Sequence, residues 1–165
     1  MTVDRSSESI QVVCFTVAGQ HYALDIMRVK EIINPPAITA VPGAPDFVEG
    51  MIELRGAFMA VIDLRKRFGV ASTPLDGDSK FIVVTLNQEF EQILALVVDG
   101  VLDVRRFGAR DIRPAPRAVV APGGPRSHFV IGVVRSGEQI IMLVELDALL
   151  SPDEHHQLGG LPGAG

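Results

Sequence analysis

The two halves of this sequence align with each other, and this internal repeat limits the possible folds more than any other feature. Residues 22–32 (YALDIMRVKEI) align without a gap with residues 94–104 (LALVVDGVLDV), so that alanine, leucine, valine and an acid coincide. Two shorter matches follow in the same order: residues 50–52 with 132–134, and residues 62–68 with 144–150. The repeat predicts two divergent copies of one small structural unit.

Within each half, apolar stretches rich in β-branched residues last about four to eight positions and end at Gly, Asn, Asp or Pro, the pattern of short strands. Strands are predicted over residues 10–17, 21–26, 29–33, 50–55, 58–63, 80–86, 92–98, 101–104, 129–134 and 138–145. Helix is predicted only as short pieces, after Asp25 and at residues 45–48, 64–68 and 146–150, the last ended by Ser151 and Pro152.

A half of roughly 65 residues with about five strands suits a small SH3-like barrel, which is marginally stable alone. The fold class predicted is therefore mainly β, with two barrels that pack through a third apolar interface and leave a groove between them. We expect the first barrel to be built mainly from residues 11–70 and the second mainly from residues 80–150. Residues 1–10 are expected to form an N-terminal arm and residues 152–165 a flexible tail.

Composition narrows the classes of function. The chain has 165 residues, 47% of them apolar, and a net charge of −5, the wrong sign for a general binder of nucleic acid. It has no Trp and one Tyr, so few platforms for base stacking exist. The lone Cys14 predicts a buried thiol in a reducing compartment. No apolar signal region or membrane-length run occurs, so a cytoplasmic protein without membrane insertion is expected.

Motifs for catalysis are missing from the sequence. It contains no GxGxxG, GxxxxGK[ST], HExxH or GxSxG pattern and no spaced set of metal ligands, so we expect no enzyme, no metal and no cofactor. Arg55 is the most notable charged residue, because Glu53-Leu54-Arg55-Gly56 places it at the tip of a predicted hairpin whose strands are otherwise apolar.

Several segments together resemble the CheW-type chemosensory coupling proteins over roughly residues 11–151. The residues that carry the resemblance are ALDI (23–26), VKEII (29–33), VPGAPDFVEG (41–50), LRG (54–56), VIDLR (61–65), VVDGV (97–101), Asp103-Val104, IRPAP (112–116), Leu143-Val144 and Leu149-Leu150. Two positions depart from the family pattern: Glu53 replaces an asparagine, and Ala60 replaces a proline.

The resemblance implies two intertwined five-stranded SH3-like barrels and an adaptor that joins the cytoplasmic tip of methyl-accepting chemoreceptors to the regulatory domain of a CheA-type histidine kinase, also within higher-order receptor arrays. It implies a receptor-binding groove that uses Ile26, Val29, Glu31, Arg55, Leu94, Val98 and Val101. It also implies a kinase-binding surface around Val41, Pro42 and Gly50.

Three alternatives stay open at this stage. An adaptor of the same type would also suit a chemosensory pathway that controls pilus motility, development or transcription. Tandem small barrels can instead form a nucleic-acid-binding module, against which the acidic charge stands. A small hydrolase that uses Asp or Glu residues is the third alternative.

Overall fold

The computed structural model describes residues 8–86, 92–115 and 129–158 and contains eleven strands in that part of the chain. The strands are β1 Ser9–Val17, β2 Gln20–Asp25, β3 Val29–Ile33, β4 Gly50–Leu54, β5 Ala57–Asp63, β6 Lys80–Thr85, β7 Ile93–Val98, β8 Gly100–Gly108, β9 Ile112–Arg113, β10 Val130–Ser136 and β11 Gln139–Val144. The helices are α1 Leu64–Arg67 and α2 Pro152–Leu158, with 3₁₀ turns at Ile26–Arg28, Ala109–Asp111 and Leu146–Leu149. The predicted mainly β fold is confirmed.

The strands form two sheets with the same internal order. One sheet, here called barrel 1, has the order β3-β6-β7-β5-β4, and the other, barrel 2, has the order β8-β1-β2-β11-β10-β9. Each contains one parallel pair at the corresponding place, β5 with β7 and β2 with β11. Apart from the two-residue β9, the orders match strand for strand under the alignment of the halves. The repeat is therefore a structural repeat.

The two barrels do not divide the chain cleanly at its midpoint. Barrel 2 takes β1 and β2 from the first half, whereas barrel 1 takes β6 and β7 from the second. The exchange occurs because the chain passes from one sheet to the other twice, at the 3₁₀ turn Ile26–Arg28 and at Asp99. These two crossings lie in the two segments that align best. Each barrel is thus completed by strands from the other half, and the barrels are intertwined.

Three apolar clusters hold the fold together, one inside each barrel and one shared. The barrel 1 core contains Phe81 and Val97, and the barrel 2 core contains Cys14 and Leu143. The shared core lies between the sheets and includes a row of four rings, Phe15, Tyr22, Phe68 and Phe129, whose neighbouring centroids are 5.8, 4.6 and 4.5 Å apart. A third apolar interface between the barrels was predicted, and the shared core is that interface.

Tight turns fix the strand pairing. Ala18 and Gly19 between β1 and β2 both have positive φ angles, as do Arg55 and Gly56 between β4 and β5. Two consecutive left-handed residues are the type I′ geometry, whose twist matches that of paired strands. Arg55 adopts this conformation although it is not glycine, with φ of 52°. At this turn the Arg55 side chain is largely exposed.

The C-terminal segment is partly helical, which corrects the prediction of a flexible tail for residues 152–158. Ser151 and Glu154 form a capping box, in which Ser151 Oγ accepts from Glu154 N at 3.2 Å and Glu154 Oε1 accepts from Ser151 N at 2.8 Å. Pro152 occupies the first helical position, where its missing N–H costs nothing. Leu158 is buried in the shared core, and Glu154 pairs with Arg67. The same Ser-Pro pair that we read as a helix stop is a helix start.

Candidate functional site

An ion pair joins the edge strand β3 of barrel 1 to the β4–β5 turn. Arg55 Nη1 lies 2.6 Å from Glu31 Oε2, which belongs to β3, while Arg55 sits at the β4–β5 turn. Strands β3 and β4 stand at opposite ends of the sheet order, so the pair spans the place where the sheet closes on itself. The Arg55 side chain is 76% exposed and that of Glu31 is 27% exposed. Such an exposed pair contributes at most about 1 kcal/mol to stability, and its charges stay available to a partner.

Apolar side chains adjoin this pair in sequence, in the 3₁₀ turn and at the start of β3. Met27 is 82% exposed, and Ile26 and Val29 are half-buried. The turn is held at both ends, since the Asp25 carboxylate accepts from Met27 N at 2.9 Å and Ile26 O accepts from Val29 N. Met27 was not among the predicted residues. The signal available in the sequence was an apolar residue just after a helix-capping aspartate, which by itself does not distinguish an exposed position from a core one.

Arg28 fixes the same turn to the second half of the chain. Its Nε donates to Thr85 O at 2.9 Å, and its Nη2 donates to Leu86 O and lies 2.6 Å from Asp147 Oδ1. Asp147 is in the 3₁₀ turn Leu146–Leu149, so the pair ties the first crossing between barrels to the end of barrel 2. The turn that presents Met27 is thus a fixed element of the fold.

Val101, the counterpart of Val29 in the repeat, is also half-buried and packs against the shared core, as Val29 does. Five of the seven residues predicted for the receptor groove keep exposed surface: Arg55 is exposed, and Ile26, Val29, Glu31 and Val101 are half-buried. The five residues come from both halves of the sequence.

Leu94 and Val98 are corrected from contact residues to core residues. Their exposed fractions are 1% and 0%, and both belong to the shared core. Strand β7 is the central strand of barrel 1, so its even-numbered side chains face the shared core and its odd-numbered ones face the barrel interior. Both faces of β7 are packed in apolar cores, so neither residue can contact a partner directly. Their contribution is to the packing of the shared core.

The second predicted surface lies on the connection 34–49, and a tight turn shapes it. Val41 O accepts from Ala44 N at 3.2 Å, Pro42 follows Val41, and Gly43 has a φ of 78°, which is the pattern of a type II turn. Pro42 is exposed and Val41 is half-buried. The turn presents both residues in one conformation without the entropy cost of ordering a loose loop.

Gly50 belongs to this region but cannot be a contact through a side chain. It is buried, and a Cβ at this position would lie 2.4 Å from Thr39 O and 2.6 Å from Ile38 Cγ2. Thr39 and Met51 exchange backbone hydrogen bonds of 2.9 and 2.8 Å beside it. Glycine therefore lets the connection 34–49 lie directly against β4. We correct Gly50 from a contact residue to one that positions the surface.

The two departures from the family pattern have different surroundings. Glu53 is exposed on β4, whereas Ala60 is 7% exposed and packs in the shared core. Only Glu53 can change the chemistry that a partner meets directly.

A buried ion-pair network was not predicted. Arg65 Nε and Nη2 each donate to the Asp63 carboxylate at 2.9 Å, and both side chains are about 5–6% exposed. Burial raises the pKa of Asp63, but hydrogen bonds from Arg65 and Ser72 outweigh it, so the pKa lies below its usual value. Arg65 also lies 3.5 Å from Asp99 at the second crossing between barrels. The network joins this crossing to α1.

Within the described ranges, no group of three or more His, Cys, Asp and Glu side chains is placed to hold a metal ion. No helix in that part of the chain is long and apolar enough to cross a bilayer. Burial raises the pKa of the Cys14 thiol to about 11, helped by the nearby Asp103 carboxylate. That thiol is fully buried in the barrel 2 core, as expected from its apolar neighbours.

Comparison with known proteins gives one consistent result. A family profile described as CheW-like domain matches residues 11–154. Chemotaxis protein CheW of Klebsiella aerogenes is 34% identical over 140 residues, covering 85% of this chain and 81% of that protein. Its counterpart in Treponema pallidum is 29% identical over 158 residues, covering 94% and 91%. The crystal structure of the scaffolding protein TtCheW from Thermoanaerobacter tengcongensis superposes with a TM-score of 0.76 at 32% identity, covering 89% of this chain and 96% of that one.

Proposed function

This chain belongs to the CheW-like domain family, and from that premise we propose that it is a chemotaxis adaptor, a scaffold that couples methyl-accepting chemoreceptors to a CheA-type histidine kinase in the cytoplasm. It acts by holding its partners together and performs no chemistry of its own. Its relatives carry the name chemotaxis protein CheW, and the similar solved structure is titled a scaffolding protein.

The observation that carries this proposal is the Arg55–Glu31 pair next to the apolar residues of the first crossing. A receptor tip is helical, and an amphipathic helix binds an apolar groove through aliphatic side chains spaced along one face. Ile26, Met27 and Val29 offer the matching apolar surface. The exposed charges of the ion pair fix the orientation of the helix, because complementary charges at a rim set register more than affinity.

We assign the kinase contact to the type II turn at Val41 and Pro42. It is preorganised and partly apolar, and it lies in the connection 34–49, which pairs with β4 through Thr39 and Met51. Separate surfaces for receptor and kinase let one chain hold both partners at once. Individual contacts of this kind are small, and repetition in an array strengthens them through multivalency.

The receptor surface is tested with a purified receptor signalling fragment. Met27→Asp and Arg55→Glu are expected to weaken binding at least about tenfold, while the thermal transition stays close to wild type because both side chains are exposed. Arg106→Glu, which reverses an exposed arginine on β8, is the matched control. Unchanged binding in both variants would remove this surface from the proposal.

The kinase surface is tested with the CheA regulatory domain. Val41→Asp places a charge in the turn and is expected to weaken kinase binding while receptor binding is retained. Ala71→Asp, which adds the same charge at an exposed position between α1 and β6, is the control. If Val41→Asp lowered receptor binding and left kinase binding intact, the assignment of the two surfaces would be reversed.

A further inference from the structure

Strand β8 forms one edge of barrel 2, and its centre is open on both faces. Among the strands that the structure describes, β8 pairs with β1 alone and stands at one end of the sheet order. Leu102, Asp103 and Val104 are consecutive and all exposed, with exposed fractions of 47% for Leu102 and 49% for Val104. Successive residues of a strand face opposite sides, so neither side is covered here. An edge strand with exposed apolar residues and unpaired backbone groups is a template for another strand.

In barrel 1 a side chain from the neighbouring hairpin pairs with the corresponding edge strand. The alignment of the halves makes Asp103 of β8 the counterpart of Glu31 of β3. Glu31 pairs with Arg55, the first residue of the β4–β5 turn. The first residue of the corresponding β10–β11 turn is Gly137, and a Cβ there would meet no atom within 4 Å beyond its chain neighbours. Barrel 2 therefore has glycine where barrel 1 has the arginine that pairs with the edge-strand acid, and the tip of its hairpin borders open space.

The charges at the centre of β8 are self-complementary. Asp103 and Arg105 lie two residues apart on one face of the strand, with Arg105 Nε 3.0 Å from Asp103 Oδ1. Arg105 Nη1 also donates to Ser136 Oγ at 2.7 Å. The side chains of Asp103 and Arg105 are 50% and 34% exposed, so both charges can reach a second strand. The order acid, valine, base matches its own copy running in the opposite direction.

Of the symmetric antiparallel registers centred on these three residues, one puts unlike charges opposite each other. In a symmetric pair the residue at the twofold axis faces its own copy, and residues at equal distances on either side of it face each other. An axis at Asp103 would set two aspartates together, and an axis at Arg105 two arginines, and like charges directly opposite are destabilising. An axis at Val104 sets Asp103 opposite Arg105 of the other copy, and the two valines meet at the axis.

We propose that two copies of this chain associate through their β8 strands, antiparallel and centred on Val104, so that the two six-stranded sheets join into one. The four charges then alternate in sign around the pair of valines. A contact limited to one strand from each copy buries much less than the standard interface area, so the association is weak. We expect a dissociation constant between about 10 μM and 1 mM.

The test is sedimentation velocity on the full chain at concentrations from about 10 μM to 1 mM, over which the wild type should pass from monomer to dimer. Asp103→Arg and Arg105→Asp each set two like pairs opposite each other and should weaken association at least about tenfold. Both side chains are exposed, so thermal unfolding should show that the variants stay folded. An equimolar mixture of the two variants restores both unlike pairs between chains and should associate about as strongly as the wild type.

An apolar position supplies a second pair of variants. Val104→Lys places two ammonium groups at the axis and should abolish the dimer. Ile140→Lys is the matched control, because Ile140 is 62% exposed and lies on β11, an interior strand of the same sheet. This variant should leave association unchanged.

Three outcomes would overturn the proposal. One is a chain that stays monomeric up to about 1 mM. Another is a mixture of the two charge variants that associates no more than either variant alone, which would mean that a different surface or register joins the copies. The third is an equal response to Val104→Lys and Ile140→Lys. None of these measurements uses a receptor or a kinase, so they test self-association separately from the adaptor function.

Discussion

Replacement of Arg65 by methionine is expected to destabilise the fold strongly, in a way that depends on pH. The change keeps a long apolar stem but removes the guanidinium that donates twice to Asp63. Asp63 keeps its hydrogen bonds from Arg65 N and Ser72 Oγ, both 2.9 Å long. Removing one partner of a buried pair costs about 3–5 kcal/mol, and the surviving hydrogen bonds place the expected loss near the lower end, about 3 kcal/mol at pH 7.

The pH dependence separates this reasoning from a simple packing defect. In the wild type the pKa of folded Asp63 is below its usual value, so its contribution is present above about pH 4 and is lost as the pH falls through the folded pKa. Without the guanidinium, the folded pKa of Asp63 is expected to rise, because two of the influences that lower it, the side-chain hydrogen bonds and the charge of Arg65, are gone while burial stays. The variant therefore lacks the stability that ionised Asp63 contributes to the wild type above about pH 4. The difference between the two proteins should therefore be small near pH 3 and largest near neutral pH.

The assay is chemical denaturation of both proteins from pH 3 to pH 8, with thermal unfolding at pH 7. A loss of about 3 kcal/mol corresponds to a fall of roughly 6–12 °C in Tm for a chain of this size. Arg55→Met, which breaks the exposed pair, is the control and should cost no more than about 1 kcal/mol at any pH. A loss for Arg65→Met that stays the same from pH 3 to pH 8 would refute the role assigned to Asp63.

Three further outcomes follow from single features of the fold. Gly50→Ala would force a Cβ to within 2.4 Å of Thr39 O, so we expect a loss of about 2–5 kcal/mol in denaturation, and a loss below 1 kcal/mol would contradict the close packing. Ser151→Ala removes the hydrogen bond that Ser151 Oγ accepts from Glu154 N and should cost about 1 kcal/mol in denaturation, whereas Ser151→Thr, which keeps the hydroxyl, should cost much less; equal losses would contradict a role for the cap. Cys14, fully buried with its pKa raised to about 11, should resist alkylation at pH 7 until the protein unfolds, and rapid native-state modification would show that barrel 2 opens.

Part of the candidate site could be predicted from the sequence, because residues in tight turns have recognisable local patterns. Arg55 was singled out from a hairpin pattern, and local backbone geometry does place it at a tip. Its pairing with Glu31 depends on closure of barrel 1, which no local pattern encodes. Met27 was not predicted, because an apolar residue is normally expected in the core. Only the tertiary structure shows that 82% of its surface is exposed.

The sequence alone determined the strands, the turns and the repeat, because these depend on neighbours a few residues apart. Alternation and β-branched runs located ten strands, and the alignment of the halves anticipated the equal strand order of the two barrels. The tertiary structure decided which strands share a sheet. Short apolar strands are nearly interchangeable as partners, and β1 pairs with β8, far away in the chain, rather than with β3. In barrel 1, β7 pairs with both β6 and β5 and is therefore central, which is why Leu94 and Val98 lie in the shared core, whereas Val29 on the edge strand β3 is only half-buried.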